Sequence, residues 1–183
     1  VTGTPAIITS VNQFSPVGTQ AITLAAGSQA SSYYTISYQN GAFEIRKAIL
    51  KVKATDLAKT YGEQNPNLAY SFEGFKNNEQ AGSGVLSGAP VLNTQAVTLS
   101  DAGTYPITID SGSLNAANYA FELVNGTMTV NKKKLTVTAN SETRKYGQSN
   151  PQFTASYSGF VTGQDKQNSD VTGDPSIADR KST

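Results

Sequence analysis

The chain has 183 residues and a nearly balanced charge, with 14 Lys and Arg against 13 Asp and Glu and a formal net charge of +1. Because so small a net charge gives no strong field, we do not expect nucleic-acid binding. Since no run approaches the roughly 18 apolar residues of a membrane span, we do not expect membrane insertion either. The sequence has no histidine and no cysteine, so it lacks the commonest general base, the commonest zinc ligand and any disulfide framework, and it predicts a chain with no catalytic residues, no cofactor and no metal site.

Alternation of apolar and polar residues along most of the chain predicts β-strands, and no helical stripe of useful length occurs. In chain order the candidate strands are 20–24, 34–38, 43–45, 50–54, 68–72, 105–109, 119–123, 128–130, 135–139 and 153–157. Asn40-Gly41 and Asn125-Gly126 separate successive candidate strands. Since Asn-Gly favours the type I′ turn, in which both central residues take a positive φ, the sequence predicts a β-hairpin at each place.

The chain also contains an internal repeat. The octapeptide KTYGEQNP at 59–66 returns as RKYGQSNP at 144–151, so that Tyr146 occupies the place of Tyr61. The shift from Tyr61 to Tyr146, the repeat offset, also aligns further glycines, prolines and strand residues along the whole sequence. The chain is therefore a tandem repeat whose period is this offset.

Two basic segments, Arg46-Lys47 and Lys132-Lys133-Lys134, join one set of strands to the next and suggest boundaries near residues 48 and 133. By this phasing 1–47 is the C-terminal half of a repeat, 48–132 is a complete repeat and 133–183 is the N-terminal half of a further repeat. A half-repeat leaves a sheet edge and half of a core exposed. We therefore expect the halves either to be disordered or to pair with those of a neighbouring copy by domain swapping.

The repeated octapeptide has the composition of a shaped turn. Its glycine allows a positive φ, and its proline keeps the preceding asparagine out of the helical region. A tyrosine beside such a turn can bury its ring and return its hydroxyl to a backbone group, as in tyrosine corners, and we prefer this structural interpretation to a ligand pocket around the tyrosines. The residues concerned are Tyr61, Gly62, Asn65 and Pro66 in the first copy and Tyr146, Gly147, Asn150 and Pro151 in the second.

The acidic residues do not recur with the repeat, since each of the 13 meets a residue of another kind at the repeat offset. A paired-carboxylate hydrolase or a calcium site in every repeat is therefore not expected. Lys47 and Lys132 do recur, together with the two hairpin asparagines, but without an acid. A Lys-Asn isopeptide bond is for that reason not expected either.

Tyrosines are the candidate contact residues for a ligand. Tyr33, Tyr38, Tyr70 and Tyr157 could stack on sugars or pack on a protein partner. Alternate core positions on a strand are the more frequent use of such residues. The three lysines at 132–134 have the composition of a solvated linker.

A longer series of motifs runs through the chain in a constant order. It comprises Lys59, Tyr61, Gly62, Asn65 and Pro66, then Gly74-Phe75, Gly88 and Pro90, then Gly103 to Thr108, Asn118-Tyr119 and Asn125 to Val130. The series resembles the MBG domain of the YGX type and covers the chain in one full and two partial copies. Gln20 stands where the complete copy has Tyr105, and Pro16 where it has Asp101, which affects single turn contacts and not the fold.

For the fold we predict an all-β chain of tandem Ig-like β-sandwich repeats of 85 residues with about seven short strands each, and a β-grasp-like repeat as the alternative. The resemblance implies a place in a large, exported, adhesin-like protein on the bacterial cell surface. We expect a non-catalytic stalk or spacer whose partners are neighbouring repeats, while host or matrix glycans or proteins are bound through other domains. In the alternative, the repeat surface itself binds carbohydrate or protein.

Overall fold

The computed structural model describes residues 1–176. These residues form strands β1 to β12 and one short 3₁₀-helix at Ala81–Ser83. The strands are β1 Ala6–Ile8, β2 Gly18–Ala25, β3 Gly41–Ile45, β4 Ala48–Ala54, β5 Leu57–Thr60, β6 Tyr70–Glu73, β7 Val91–Thr94, β8 Gly103–Asp110, β9 Tyr119–Val124, β10 Gly126–Asn131, β11 Thr136–Ala139 and β12 Ala155–Ser158. The predicted all-β class is confirmed. No helix in the described part of the chain is long and apolar enough to cross a membrane.

The strands form four small sheets, with the orders β1-β2-β3, β6-β4-β9, β5-β10-β8-β7 and β11-β12. Seven strands, β4 to β10, fall within 48–132, as predicted for the complete repeat. Two pairings are parallel, β4 with β9 and β5 with β10. Several small sheets in an all-β chain are consistent with a β-sandwich-like fold.

Strand β4 lies at the centre of its sheet because both of its edges are paired. It runs antiparallel to β6 and parallel to β9. Its sequence AILKVKA alternates, so Leu50, Val52 and Ala54 are buried while the residues between them face the other side. Leu50 packs with Ala116 and Tyr119 in the hydrophobic core.

The chain divides into two compact units. Unit 1 contains residues 1–55, 68–94 and 106–127, and unit 2 contains residues 56–67, 95–105 and the described residues from 128 onward. The buried residues of unit 1 include Leu50, Val52 and Ile107, and those of unit 2 include Met128 and Val130. Each unit joins segments from more than one predicted repeat, so the boundaries near 48 and 133 stay predictions.

The two hairpin predictions are wrong. Strands β9 and β10 follow each other through Asn125, but they belong to different sheets, and no strand precedes Asn40 closely enough to form a hairpin with β3. Neither Gly41 nor Gly126 has a positive φ. The segment 34–38, expected as a strand, forms none.

Each asparagine instead binds the backbone of a strand in its own half of the repeat. Asn125 Oδ1 accepts a hydrogen bond from the amide of Ile109, and Asn40 Oδ1 accepts one from the amide of Leu24, both at 3.1 Å. The glycine after Asn125 is required for a steric reason, since a Cβ at Gly126 would lie 2.7 Å from the carbonyl oxygen of Ala54. Asn125-Gly126 therefore directs the chain from the sheet of β9 to the sheet of β10.

The half-repeats contain ordered strands of their own. Residues 1–47 form the sheet β1-β2-β3, and the described residues from 133 onward form the pair β11-β12. The expectation that the halves are disordered or pair with a neighbouring copy stays a prediction. The last predicted residues of the second half, 177–183, lie outside the described part.

We expect Leu50→Ala to lower the free energy of unfolding by about 2–5 kcal/mol, because it removes a fully buried side chain from a packed core. The matched control is Ile49→Ala on the same strand, where the side chain is mostly exposed and the change is expected to stay within about 0.5 kcal/mol. Urea unfolding followed by circular dichroism measures both. Equal losses would contradict the alternation of β4.

Candidate functional site at the repeated turn

The turn at 59–66 is closed by one residue that binds the backbone twice. The amide of Glu63 donates to the carbonyl oxygen of Thr60 at 3.0 Å, and the Glu63 carboxylate accepts a hydrogen bond from the amide of Thr60 at 2.7 Å. Between them Gly62 has a φ of 86°, in the left-handed region that glycine favours.

The second copy repeats this geometry with different residues. The amide of Gln148 donates to the carbonyl oxygen of Lys145 at 3.2 Å, and Gln148 Oε1 accepts from the amide of Lys145 at 3.3 Å. Gly147 has a φ of 85°. Glu and Gln alternate at this position because each supplies a side-chain oxygen as acceptor, which explains why this acid is not retained as an acid.

A buried lysine stabilises the first turn through hydrogen bonds to the backbone. The sequence alone indicated no role for this residue beyond its place in the motif. Lys59 is buried, and its ammonium group donates to the carbonyl oxygens of Glu63, at 3.1 Å, and Val97. Two backbone carbonyl oxygens thus accept hydrogen bonds from this buried charge. Its counterpart Arg144 is exposed and donates to Asn150 Oδ1 at 2.7 Å. The Lys/Arg at the head of both octapeptides was the available signal.

The rest of the turn is docked on neighbouring backbone of unit 2. The amide of Tyr61 donates to the carbonyl oxygen of Asn131 at 2.8 Å, and the amide of Gly62 donates to that of Thr98 at 3.1 Å. Asn65 Nδ2 donates to the carbonyl oxygen of Ala96 at 2.5 Å. Thus the asparagine before the proline anchors the end of the turn.

Tyr61 does not form the predicted tyrosine corner. Its hydroxyl accepts a hydrogen bond from Gln164 Nε2 at 2.8 Å, so its partner is a distant side chain and not a backbone group. A Cβ at Gly62 would lie 2.3 Å from Val161 Cγ2. Tyr61 and Gly62 are therefore in contact with a segment about 100 residues later in the chain, which contains Val161 and Gln164. Tyr146, in the second copy, is fully exposed.

Beside this contact lies a cavity of about 490 Å³ in unit 2, lined by Tyr61, Ala102, Lys132, Lys133, Val161 and Gln164 among others. Unit 1 has a cavity of about 350 Å³. The repeat offset carries four of its lining residues, Val17, Ala48, Lys76 and Glu79, onto Ala102, Lys133, Val161 and Gln164. The two cavities therefore occupy equivalent places in successive repeats.

In the cavity of unit 1 the hydroxyl of Tyr119 makes two hydrogen bonds. It accepts a hydrogen bond from the amide of Lys76 at 2.9 Å and donates one to the carboxylate of Glu79. Burial, followed by the hydrogen bond to Glu79, raises the pKa of Tyr119 above its ordinary value. The tyrosine thus stays neutral and directs its proton at the carboxylate.

The tyrosines predicted as ligand contacts are not brought together. Tyr33 is 90% exposed on a loop, and Tyr38 is half-buried. Tyr70 meets the edge of Phe72 with ring centroids 5.5 Å apart. Tyr157 lies beneath the ammonium group of Lys166, which is 5.4 Å from its ring centroid. In the described part of the chain, no ring contact joins any two of Tyr33, Tyr38 and Tyr70 of unit 1, and Tyr157 belongs to unit 2.

Other polar groups that could carry chemistry have structural partners. The ammonium group of Lys47 donates to the carbonyl oxygen of Ala116 at 3.0 Å, while Asn40 is bound to backbone as described above. Among residues 1–176 no group of three or more His, Cys, Asp or Glu is placed to hold a metal ion. Lysines 132–134 are all exposed.

A protein-family model described as MBG domain (YGX type) matches residues 50–129 and 135–180. The two matched segments begin at Leu50 and Leu135, which the repeat offset superposes. No curated protein and no solved structure matches the chain.

We expect Gly62→Ala to destabilise the protein more than Gly147→Ala. Both glycines have nearly the same positive φ, so each substitution costs about 1–2 kcal/mol of backbone strain. Only at Gly62 would the new methyl group also collide with Val161, whereas nothing lies within 4 Å at Gly147. Urea unfolding of the two variants measures the difference, and equal losses would contradict the Val161 contact.

Stability above about pH 10 should depend on Tyr119. Because the folded state raises the pKa of this hydroxyl, the stabilisation is complete below the ordinary tyrosine pKa and is lost as the pH rises through the folded value. Tyr119→Phe removes this titration, so the unfolding free energy of the variant should fall less steeply between about pH 9.5 and 12. Parallel slopes in urea titrations over this range would contradict the raised pKa.

Proposed function

The chain belongs to the MBG domain family of the YGX type, and on this basis we propose that it is a non-catalytic spacer segment of a large adhesin on the bacterial cell surface. In this role it lies outside the cell and forms part of a longer exported protein. Its partners are neighbouring repeats of the same protein, and other domains bind the host or matrix glycan or protein.

The observation that supports the proposal is the set of contacts that the repeated turn makes. Tyr61 and Gly62 contact Gln164 and Val161, which belong to the segment that follows the complete repeat. The most strongly repeated motif is thus used for packing one repeat against the next. Units stacked in this way extend an array at roughly constant stability per unit, which is what a spacer needs.

The distribution of charge supports a role without chemistry. The acidic residues differ from copy to copy, and the acid that does lie in the turn, Glu63, binds backbone and is replaced by Gln148. Tyr119 is paired with Glu79, but in the equivalent cavity the latter is replaced by Gln164. A reaction built into the repeat would need the same acid-base groups in each copy.

A second candidate function is favoured by two exposed aromatic residues. Tyr33 and Tyr34 are 90% and 72% exposed on the loop that follows β2, and their amides are both bound to the hydroxyl of Ser31. Adjacent rings held on an ordered loop could stack on a sugar or pack on a protein. In this alternative the repeat surface is itself the adhesive element.

Glycan-array binding of the chain separates the two functions. The spacer proposal expects no glycan to be bound, and it expects small-angle scattering in dilute solution to report an elongated, rigid particle. If the repeat surface is a binding module, at least one glycan should be bound by the native chain and no longer bound by the Tyr33→Ala variant. The control is Tyr70→Ala, where the side chain is partly packed on Phe72. A glycan retained by the control and lost in Tyr33→Ala would overturn the spacer role.

A further inference from the structure

Two successive repeats, as the sequence divides them, meet inside unit 1. This unit includes residues 1–55 and much of the complete repeat, so it extends across the predicted boundary near residue 48. Strand β3 ends at Ile45 and β4 begins at Ala48, which leaves Arg46 and Lys47 as the link between two different sheets. Neighbouring domains move relative to each other unless their interface holds them, so a spacer needs contacts at this joint. Three side chains supply such contacts.

The first is that of Asn118, a residue that binds both sides of the joint. Its side-chain Oδ1 accepts a hydrogen bond from the amide of Val17 at 3.2 Å, and its carbonyl oxygen accepts one from the amide of Ala48 at 2.9 Å. The second bond lies at the start of the parallel ladder, where Ala48 is the register partner of Tyr119. Asn118 is half-buried. One residue thus connects the segment before the joint to the first residue of β4 and to the amino end of β9.

The second is that of Lys47, in the link itself. Its ammonium group donates to the carbonyl oxygen of Ala116 at 3.0 Å, in the segment that precedes β9. The repeat offset places Lys132 at the same position of the next link, so this contact uses a residue that recurs with the repeat. Because the acceptor is a backbone carbonyl, the contact needs a lysine but no particular side chain opposite it. This accounts for the recurrence of the lysine without an acid.

The third is that of Asn77, which lies on a turn of uncommon backbone geometry. Asn77 and Asn78 have φ values of 53° and 60°, and among the described residues other than glycine they are the ones with a positive φ. The amide of Glu79 donates to the carbonyl oxygen of Lys76 at 2.9 Å and closes the turn. The Asn77 side chain donates through Nδ2 to the carbonyl oxygen of Gln13 at 3.3 Å. Such backbone conformations concentrate at functional positions, and this position contacts the segment before the joint.

We propose that these contacts lock the joint between successive repeats and that Asn118 is its positioning residue. The proposal deepens the spacer role and rests on it, because it names the residues that set the direction of one repeat on the next. An asparagine suits this place, since its Oδ1 accepts a hydrogen bond from the preceding repeat without adding a charge. Hydrogen bonds are directional and fix an orientation, whereas apolar contact alone is not directional and permits sliding.

Pulsed electron paramagnetic resonance of paired nitroxide labels reports motion at the joint as a change in a distance distribution, and the chain has no native cysteine to interfere. The reporting pair is Ala25→Cys with Glu73→Cys, on β2 and β6, one on each side of the joint. The control pair is Asp110→Cys with Glu73→Cys, both within the complete repeat. The repeat offset carries Ala25 onto Asp110, so the joint lies between the labels of the first pair and not of the second. All three positions are exposed.

Both pairs should give narrow distance distributions in the native chain. Asn118→Leu keeps a side chain of similar size but removes the acceptor, and we expect it to broaden the distribution of the reporting pair about twofold while the control pair stays unchanged. Asn118→Asp keeps an oxygen acceptor and should leave both distributions narrow. Asn115→Ala, at an exposed asparagine in the same segment, is the matched control and should have no effect. Asn77→Gly accepts the positive φ, removes the contact with Gln13 and should also broaden the reporting pair alone.

Three outcomes would overturn the inference. The first is a reporting pair that is already broad in the native chain, which would mean that the joint moves. The second is a reporting pair that Asn118→Leu leaves narrow, or that Asn118→Asp broadens as much as Asn118→Leu does. The third is a control pair that broadens together with the reporting pair in both Asn118→Leu and Asn77→Gly, which would mean that these residues support the complete repeat and not the joint. None of these results produces glycan binding, so failure of the inference is distinguishable from failure of the spacer role.

Discussion

The parallel ladder between β4 and β9 is the interaction on which the complete repeat depends. It joins residues 48–53 to residues 119–124, at opposite ends of the repeat, and it places β4 in the interior of a sheet. Leu50 and Val52 are buried on one face of this central strand, where Leu50 packs with Ala116 and Tyr119.

The octapeptide has two separable functions within the fold. Its internal hydrogen bonds, from Glu63 or Gln148 to the preceding backbone, are the same in both copies and need only the local sequence. Its outward contact, from Tyr61 to Gln164, needs a segment that lies far away in the chain. The turn is thus formed by local hydrogen bonds, whereas its contact with Gln164 depends on a distant part of the chain. This explains why one tyrosine is half-buried and the other fully exposed although their backbones are alike.

Much of the fold could be predicted from the sequence. Alternation of apolar and polar residues can be seen within a single strand, and the internal repeat can be seen by shifting the sequence against itself. Strands β4, β8, β9 and β10 coincide with predicted strands, and the complete repeat has the expected seven. Sheet membership could not be predicted in the same way. Asn125-Gly126 has the composition of a hairpin turn. In the structure, however, the glycine is required because the backbone of Ala54 lies close to it, and the asparagine side chain accepts a hydrogen bond from the amide of Ile109. Parallel pairing leaves no signature in nearby residues.

The same limit applied to the site. The turn itself was recognisable, whereas the partner of Tyr61 and the burial of Lys59 depended on segments brought together by the fold. The correspondence of Glu79 with Gln164 at the repeat offset was visible in the sequence. Its meaning, two equivalent cavities, became clear only from the residues that line them.

The direction of β4 and β9 has a mechanical consequence for a chain held at both ends. Tension along the polypeptide enters β4 at Ala48, its amino end, and leaves β9 at Val124, its carboxyl end. Since the strands are parallel, these points lie at opposite ends of the ladder, and the load acts as shear along it. Shear strains the ladder's hydrogen bonds together, whereas peeling would break them one after another. A pulled repeat should therefore resist extension until the ladder yields as a whole.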